Sequence, residues 1–192
     1  MEIYAKGKRG IIYRQDNVCV KEKNPNSSVD TLKNEAEYLQ VLNKEGIGPK
    51  FIKYSDSKLY REFVDGTRIS DFFEQENDKN KIISVIKQVL EQCRQIDLLS
   101  INKKELNNPY KDIIITCNDK GTAKAVMIDF ERCTQTKKPK NVTQFLQYII
   151  KNKPLLEKKA MIIDRKEFIR LGKEYKEKND KESFNKIINF IA

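Results

Sequence analysis

Apolar and polar positions change rhythm several times along the chain. At the start, short β-branched or aromatic runs alternate with turn chemistry: Ile3-Tyr4, Ile11-Ile12-Tyr13 and Val18-Cys19-Val20. Lys6-Gly7-Lys8-Arg9-Gly10 joins the first two runs, and Gln15-Asp16-Asn17 is short enough to close a hairpin between the next two. The rhythm then turns helical. Leu32, Glu35, Ala36, Leu39 and Leu42 fall on one helical face, while Glu37 points the opposite way. Ser28 or Asp30 suits the N-cap of this helix, and Gly46-Ile47-Gly48-Pro49 breaks it. Phe51 to Tyr54 and Leu59 to Val64 read as strands around a Ser-Asp-Ser turn, and Asp65-Gly66 ends the run.

Beyond that point the pattern is mostly helical. Ile82, Ile83, Ile86, Val89, Leu90, Cys93 and Ile96 recur at three- to four-residue spacing, the stripe of a long core helix. A polar loop from Asn102 to Asp112 follows. Two strands, Ile113-Ile114-Ile115 and Ala125 to Ile128, are joined by the turn Asn118-Asp119-Lys120-Gly121. Helices are expected over Asn141 to Lys151, Leu155 to Met161, Asp164 to Lys178 and Lys181 to Ile191. The fold class is therefore α+β, with residues 1–64 a small β-rich lobe carrying one helix and residues 65–192 a mainly helical lobe.

Composition narrows the possibilities. At 192 residues and 39% hydrophobic, the chain fits one domain or two small lobes. No apolar run approaches the roughly 20 residues of a membrane-spanning helix. The N-terminus lacks the apolar core of a signal peptide, so a cytoplasmic protein without a membrane partner is expected. There is no histidine, and Cys19, Cys93, Cys117 and Cys133 lie far apart. A Cys/His zinc site and a His-based triad are thereby excluded, and the cysteines read as reduced packing residues. The net charge is +10, and the segment from Lys151 onward holds 12 Lys/Arg against 7 Asp/Glu. Such a tail is either a set of solvated helix faces or a surface for a polyanion such as RNA.

A few residues carry candidate chemistry. Asp129 closes the apolar strand Ala125 to Ile128, where a carboxylate can hold magnesium or cap the next segment. Lys21 ends Val18-Cys19-Val20 on the same strand face as Cys19; alone it would be a surface lysine. Glu35 gives it a partner, because a carboxylate in a buried stripe needs a cation and Lys21 is the candidate. Gly7 and Gly10 allow close backbone approach to phosphates, although two glycines also make an ordinary hairpin, and Lys8 and Arg9 sit at its tip. In the loop before the strands, Glu105 can accept a proton from an attacking hydroxyl, and Asp112 can complete a metal site. Lys103, Lys104 or Lys111 can neutralise a phosphoryl group.

Together these residues resemble the eukaryotic-like protein kinase superfamily, and most closely its small archaeal branch near the RIO kinases and the kinase subunit of the KEOPS complex. The likeness runs from about Gly7 to Ile150. Val18-Cys19-Val20-Lys21 resembles V-A-I-K, Asn34-Glu35-Ala36 the R-E-A of the αC helix, and Glu62-Phe63-Val64-Asp65-Gly66 the hinge that holds adenine. Lys103-Lys104-Glu105-Leu106 stands where H-R-D-L is expected, and Ile128-Asp129-Phe130-Glu131 stands for I-D-F-G. Glutamate thus replaces both the catalytic aspartate and the DFG glycine. Asp112 lies seven residues after Glu105, where the family has asparagine at five.

The resemblance implies a two-lobed kinase-like fold with a minimal activation segment and ATP and Mg2+ as cofactors. It implies nucleotide binding by Gly7, Gly10, Cys19, Lys21, Glu35, Glu62 and Val64, metal binding by Asp129 and Asp112, and catalytic roles for Lys21, Glu105 and Asp129. The function it implies is that of a serine/threonine protein kinase acting on a protein or macromolecular assembly, or on itself. The I-D-F-E run is also similar to small-molecule kinases of the aminoglycoside and choline type. A nucleotide-binding pseudokinase that contacts RNA or protein through its basic C-terminal helices is the third expectation.

Overall fold

The protein is described by a computed structural model covering residues 2–191. It is α+β, with seven helices among the described residues and a mostly antiparallel main sheet. The chain forms two compact units: residues up to Asp65 with Val126–Cys133, and Gly66–Ala125 with the chain from Thr134 onward.

The first unit is built on a five-stranded sheet in the order β1-β2-β3-β5-β4, antiparallel throughout. Its strands are β1 (Glu2–Lys6), β2 (Gly10–Gln15), β3 (Val18–Lys23), β4 (Phe51–Ser55) and β5 (Lys58–Glu62). Asp56 and Ser57 between β4 and β5 both adopt φ near +50 to +60°, as the tightest hairpin turn requires. In β3, Cys19, Val20 and Lys21 are all buried, so both strand faces are covered.

Helix α1 (Leu32–Asn43) buries Leu32, Glu35, Ala36, Leu39 and Leu42, the face expected from the sequence. It starts later than Ser28 or Asp30. Thr31 holds the N-cap position, and Asp30 acts from outside the helix by accepting the Leu32 amide at 3.0 Å. After α1, the Asn43 side chain donates to the carbonyls of Ile47 and Pro49 and accepts from the Phe51 amide. That clamp turns the chain into β4. Gly48 within the turn has φ +84°, and a Cβ there would lie 2.8 Å from Phe130 and 2.9 Å from Leu39. The glycine therefore lets Phe130 pack against α1.

The second unit contains α2 (Ile69–Gln75), α3 (Lys79–Leu98), α4 (Asn141–Lys151), α5 (Lys153–Lys158), α6 (Arg165–Lys178) and α7 (Lys181–Phe190). Strands β6 (Thr67–Arg68), β8 (Ile113–Cys117) and β9 (Ala123–Met127) form one sheet, and β7 (Ile101–Asn102) pairs with β10 (Thr134–Gln135). The last two residues of β9 belong to the first unit. Aspartates cap three helices: Asp78 for α3, Asp164 for α6 and Asp180 for α7. Helix α5 begins two residues before the expected Leu155, with Pro154 in its first turn, and ends at Lys158 rather than Met161. One cysteine departs from expectation. Cys117 is exposed, because it lies at the end of β8 where the strand enters its turn, whereas Cys19, Cys93 and Cys133 are buried.

Behind the Asn102–Asp112 loop lies a buried polar network. Asp97 accepts hydrogen bonds from the Asn141 amide (3.0 Å), Asn141 Nδ2 (2.7 Å), the Val142 amide (3.3 Å) and the Tyr175 hydroxyl (3.1 Å). Asn141 in turn accepts from the Lys103 amide and donates to the Ile101 carbonyl. Burial pushes the Asp97 carboxyl upward against the lowering pull of these donors. A carboxyl whose folded pKa exceeds its unfolded value stabilises the fold fully below the unfolded value, near about 3.9. That contribution is lost as pH rises through the folded value.

Two outcomes follow for urea denaturation. Gly48→Ala should lower stability by about 1–3 kcal/mol, since it adds both left-handed strain and a clash. The stability difference between the wild type and Asp97→Asn should shift in favour of the wild type as pH falls from 7 towards 4. A pH-independent difference would show that Asp97 keeps an ordinary pKa.

Candidate functional site around Lys21

Lys21 is 7% exposed, so its ammonium must be matched by charges within the protein. Three carboxylates surround it. Nζ donates to Glu35 Oε2 at 2.6 Å, Asp129 Oδ1 at 3.0 Å and Glu131 Oε2 at 3.2 Å. Each acid arrives for a local reason. Glu35 occupies the buried face of α1. Asp129 follows β9 in the left-handed region, φ +61°, a conformation that aspartate tolerates better than most residues. Glu131 follows two residues later, beyond buried Phe130. Gly10 makes room from the other side: a Cβ there would lie 3.1 Å from Lys21 Cε and 3.3 Å from the Glu22 carbonyl.

The electrostatics follow from this crowding. Burial alone would lower the Lys21 pKa, but Glu35, then Asp129, then Glu131 override it and hold the ammonium above its ordinary value. Burial is also the largest influence on Glu35 and pushes its carboxyl up, while Lys21 pulls it down. Glu35 is 1% exposed whereas the Asp129 side chain is 41% exposed, so Asp129 is the carboxylate an incoming cation meets first. One oxygen from each of Glu35, Asp129 and Glu131 lies within 4.8 Å of the others, close enough to share a metal ion.

Glu131 makes more of the site's connections than its sequence position suggested. Its Oε1 accepts from Arg9 Nη1 at 3.0 Å, and its Oε2 accepts from the Thr31 hydroxyl at 3.1 Å as well as from Lys21. Its backbone carbonyl accepts from Asn34 Nδ2, which also donates to the Cys133 carbonyl. Thr31 and Asn34 gave no sequence signal of this role, since a threonine before a helix reads as a cap and an asparagine in its first turn as solvated.

The remaining sequence-derived positions divide between the two units. In the first, Gly7 has an ordinary φ and room for a Cβ, 3.5 Å from the Gly10 carbonyl. Its amide closes the hairpin onto Gly10, and its carbonyl accepts from Asn24 Nδ2. Cys19 is buried, and burial raises its thiol pKa. It pairs across strands with Arg61, also buried, whose Nη1 donates to the Glu62 carbonyl and whose Nε has no hydrogen-bond partner among the described residues. The Glu62 side chain accepts from the Lys50 amide, and its own amide donates to the Lys50 carbonyl. Val64 is half-buried after β5.

In the second unit, Glu105 is exposed in a turn with φ +74°, and its carbonyl accepts from the Asn108 amide. Such a φ is costly for glutamate, of order 1–3 kcal/mol. Asp112 pairs with the buried Lys103 ammonium at 3.1 Å. Lys103 is thus the partner of a carboxylate, whereas the sequence offered it for phosphoryl neutralisation.

Neither a family model nor a curated protein matches the chain. The chemistry must come from the arrangement itself: a buried ammonium able to meet an anion, and hard carboxylate oxygens able to hold a divalent cation.

Removing the cation should expose the cost of the acids. Lys21→Met should destabilise the protein by about 3–5 kcal/mol, because three carboxylates lose their shared partner. Adding Glu35→Leu should recover part of that loss. A double variant no more stable than Lys21→Met, by urea midpoint, would mean that Glu35 does not depend on Lys21.

Proposed function

We propose that the chain is an ATP- and magnesium-dependent phosphotransferase with a two-lobed, kinase-like arrangement, passing a phosphoryl group to a Ser/Thr hydroxyl of a protein. The observation that carries this is the buried Lys21–Glu35 pair with Asp129 on the same ammonium. The donor set fits the cofactors: Asp129, half exposed beside the ammonium, offers the hard oxygens magnesium prefers, and Lys21 offers a point charge suited to phosphate.

Bound magnesium–ATP would supply the phosphoryl group and neutralise the charge that develops as it leaves. The protein's residues do the rest. Lys21 binds the α- and β-phosphates and Glu35 fixes its direction. Asp129 holds magnesium, with Asp112 as the second metal carboxylate. Gly7 and Gly10 shape the hairpin over the phosphates, while Cys19 and the backbone of Glu62 and Val64 line the base. Glu105 orients the acceptor hydroxyl and takes its proton. Glutamate carries the same group as aspartate on a longer arm.

A small-molecule acceptor is the second possibility, favoured by Glu131 directly after Phe130; metabolite-stimulated ATP consumption would single it out. RNA contact would draw on exposed lysines of α6 and α7. Glu174 already binds Arg170, Lys178 and Lys186, which leaves Arg165, Lys166, Lys173, Lys176 and Lys181, among the described residues, as the exposed cations of α6 and α7 that a polyanion would meet.

Transfer of label from γ-labelled ATP is the direct test. The wild type should incorporate label with magnesium, Asp129→Asn should lose both label and Mg-nucleotide binding, and Glu105→Gln should bind nucleotide but slow transfer by about 10²–10⁴-fold. Unchanged nucleotide binding in Asp129→Asn would sink the metal assignment.

A further inference from the structure

We infer that Arg9, Lys21, Thr31 and the N-terminus of α1 form a phosphate-binding site that the carboxylate of Glu131 fills in the ligand-free protein. It rests on the nucleotide reading only for the natural source of the phosphate.

The donors converge on one anion. Arg9 Nη1 reaches Oε1 at 3.0 Å, and Lys21 Nζ and the Thr31 hydroxyl reach Oε2 at 3.2 and 3.1 Å. These donors come from the β1–β2 hairpin, from β3 and from the entry of α1, segments far apart in sequence. Thr31 stands at the N-cap of the 12-residue α1 but makes no side-chain cap bond; its hydroxyl is turned to Glu131 instead. The anion therefore lies at the helix end where the macrodipole favours negative charge, beside Asp30, which takes the Leu32 amide. Two cations, a hydroxyl and a helix N-terminus around one carboxylate are the surroundings a phosphoryl group requires.

Glu131 is built to be displaced. Its backbone is held separately, by Asn34 Nδ2 on its carbonyl at 3.0 Å, so the side chain can leave without unfolding the turn. The Arg9 side chain is 35% exposed, which gives an incoming anion a first contact. The hairpin behind it is pinned by Asn24, whose amide donates to the Arg9 carbonyl and whose side chain donates to the Gly7 carbonyl. A phosphoryl group has three terminal oxygens to offer where Glu131 has two, and it carries more charge. Two sources have this chemistry: the terminal phosphate of a nucleotide and free inorganic phosphate.

The test is calorimetric titration of the full chain with inorganic phosphate and, separately, with a non-hydrolysable ATP analogue plus magnesium. The proteins are the wild type, Glu131→Gln and Glu131→Gln/Arg9→Gln. Glutamine keeps the size and a carbonyl acceptor but removes the competing charge. Glu131→Gln should therefore bind at least one of the two ligands about tenfold more tightly, and the added Arg9→Gln should cancel the gain. A gain with inorganic phosphate marks free phosphate as a sufficient ligand, and a gain confined to the analogue marks the nucleotide as the source. Unchanged or weaker binding of both ligands by Glu131→Gln, with its urea midpoint intact, overturns the proposal. Should the midpoint fall, the double variant decides: an Arg9→Gln change without effect on phosphate or analogue affinity overturns it equally. Phosphate binding by Glu131→Gln with no analogue bound by any protein would overturn the nucleotide reading alone. Analogue binding by the wild type, with neither the analogue's nor phosphate's affinity changed by Glu131→Gln, would overturn this site alone.

Discussion

A single buried ammonium governs the first unit. An uncompensated charge at the depth of Lys21 would cost more than a domain of this size has to spare, so the surrounding chain is arranged to supply acids. That requirement accounts for features with little else in common. It explains a glutamate in the apolar stripe of α1, an aspartate in left-handed conformation after β9, and a glycine where β2 passes the lysine stem. It also ties Val126–Cys133 to the sheet and helix formed by the first 65 residues. Three acids against one lysine overshoot neutrality, and Arg9 enters as the second cation through Glu131.

The parts of this arrangement that could be read from the sequence are those where a local rule is broken. Glu35 was conspicuous because a charge interrupts a periodic apolar face, and its pairing with Lys21 follows from the cost of leaving it alone. Asp129 stood out as a carboxylate ending an apolar strand. The long helix α3 and helices α4, α6 and α7 were legible because each runs for close to three turns or more and aspartates mark three of the starts. Helix α2 was not legible, since seven residues give periodicity too little length to speak. The two-residue strands β6, β7 and β10 exist only through pairing with distant partners and leave no local trace. Glu131 illustrates the same limit at the site. Its neighbours are set by the fold, and no spacing in the sequence joins it to Arg9 or Thr31.

Charge in the second unit is more evenly matched than the net +10 suggests. Glu167 and Glu174 take up Arg170, Lys178 and Lys186 along α6 and α7, and the acids Glu167 and Glu174 are held below their ordinary pKa values by those partners. These pairs are exposed and contribute little stability each. Their effect is to break the tail's positive charge into smaller patches.

Helix α4 borrows its cap. Its own N-cap residue, Lys140, makes no side-chain cap bond; the first amides of the helix are instead accepted by Asp97, 44 and 45 positions earlier on α3. An isolated helix of 11 residues is marginal in water, and one lacking its own cap more so. The two helices therefore cannot be independent folding events. α4 takes the acceptors for its first amides from α3, which joins the pair into one cooperative unit through a contact of long sequence separation.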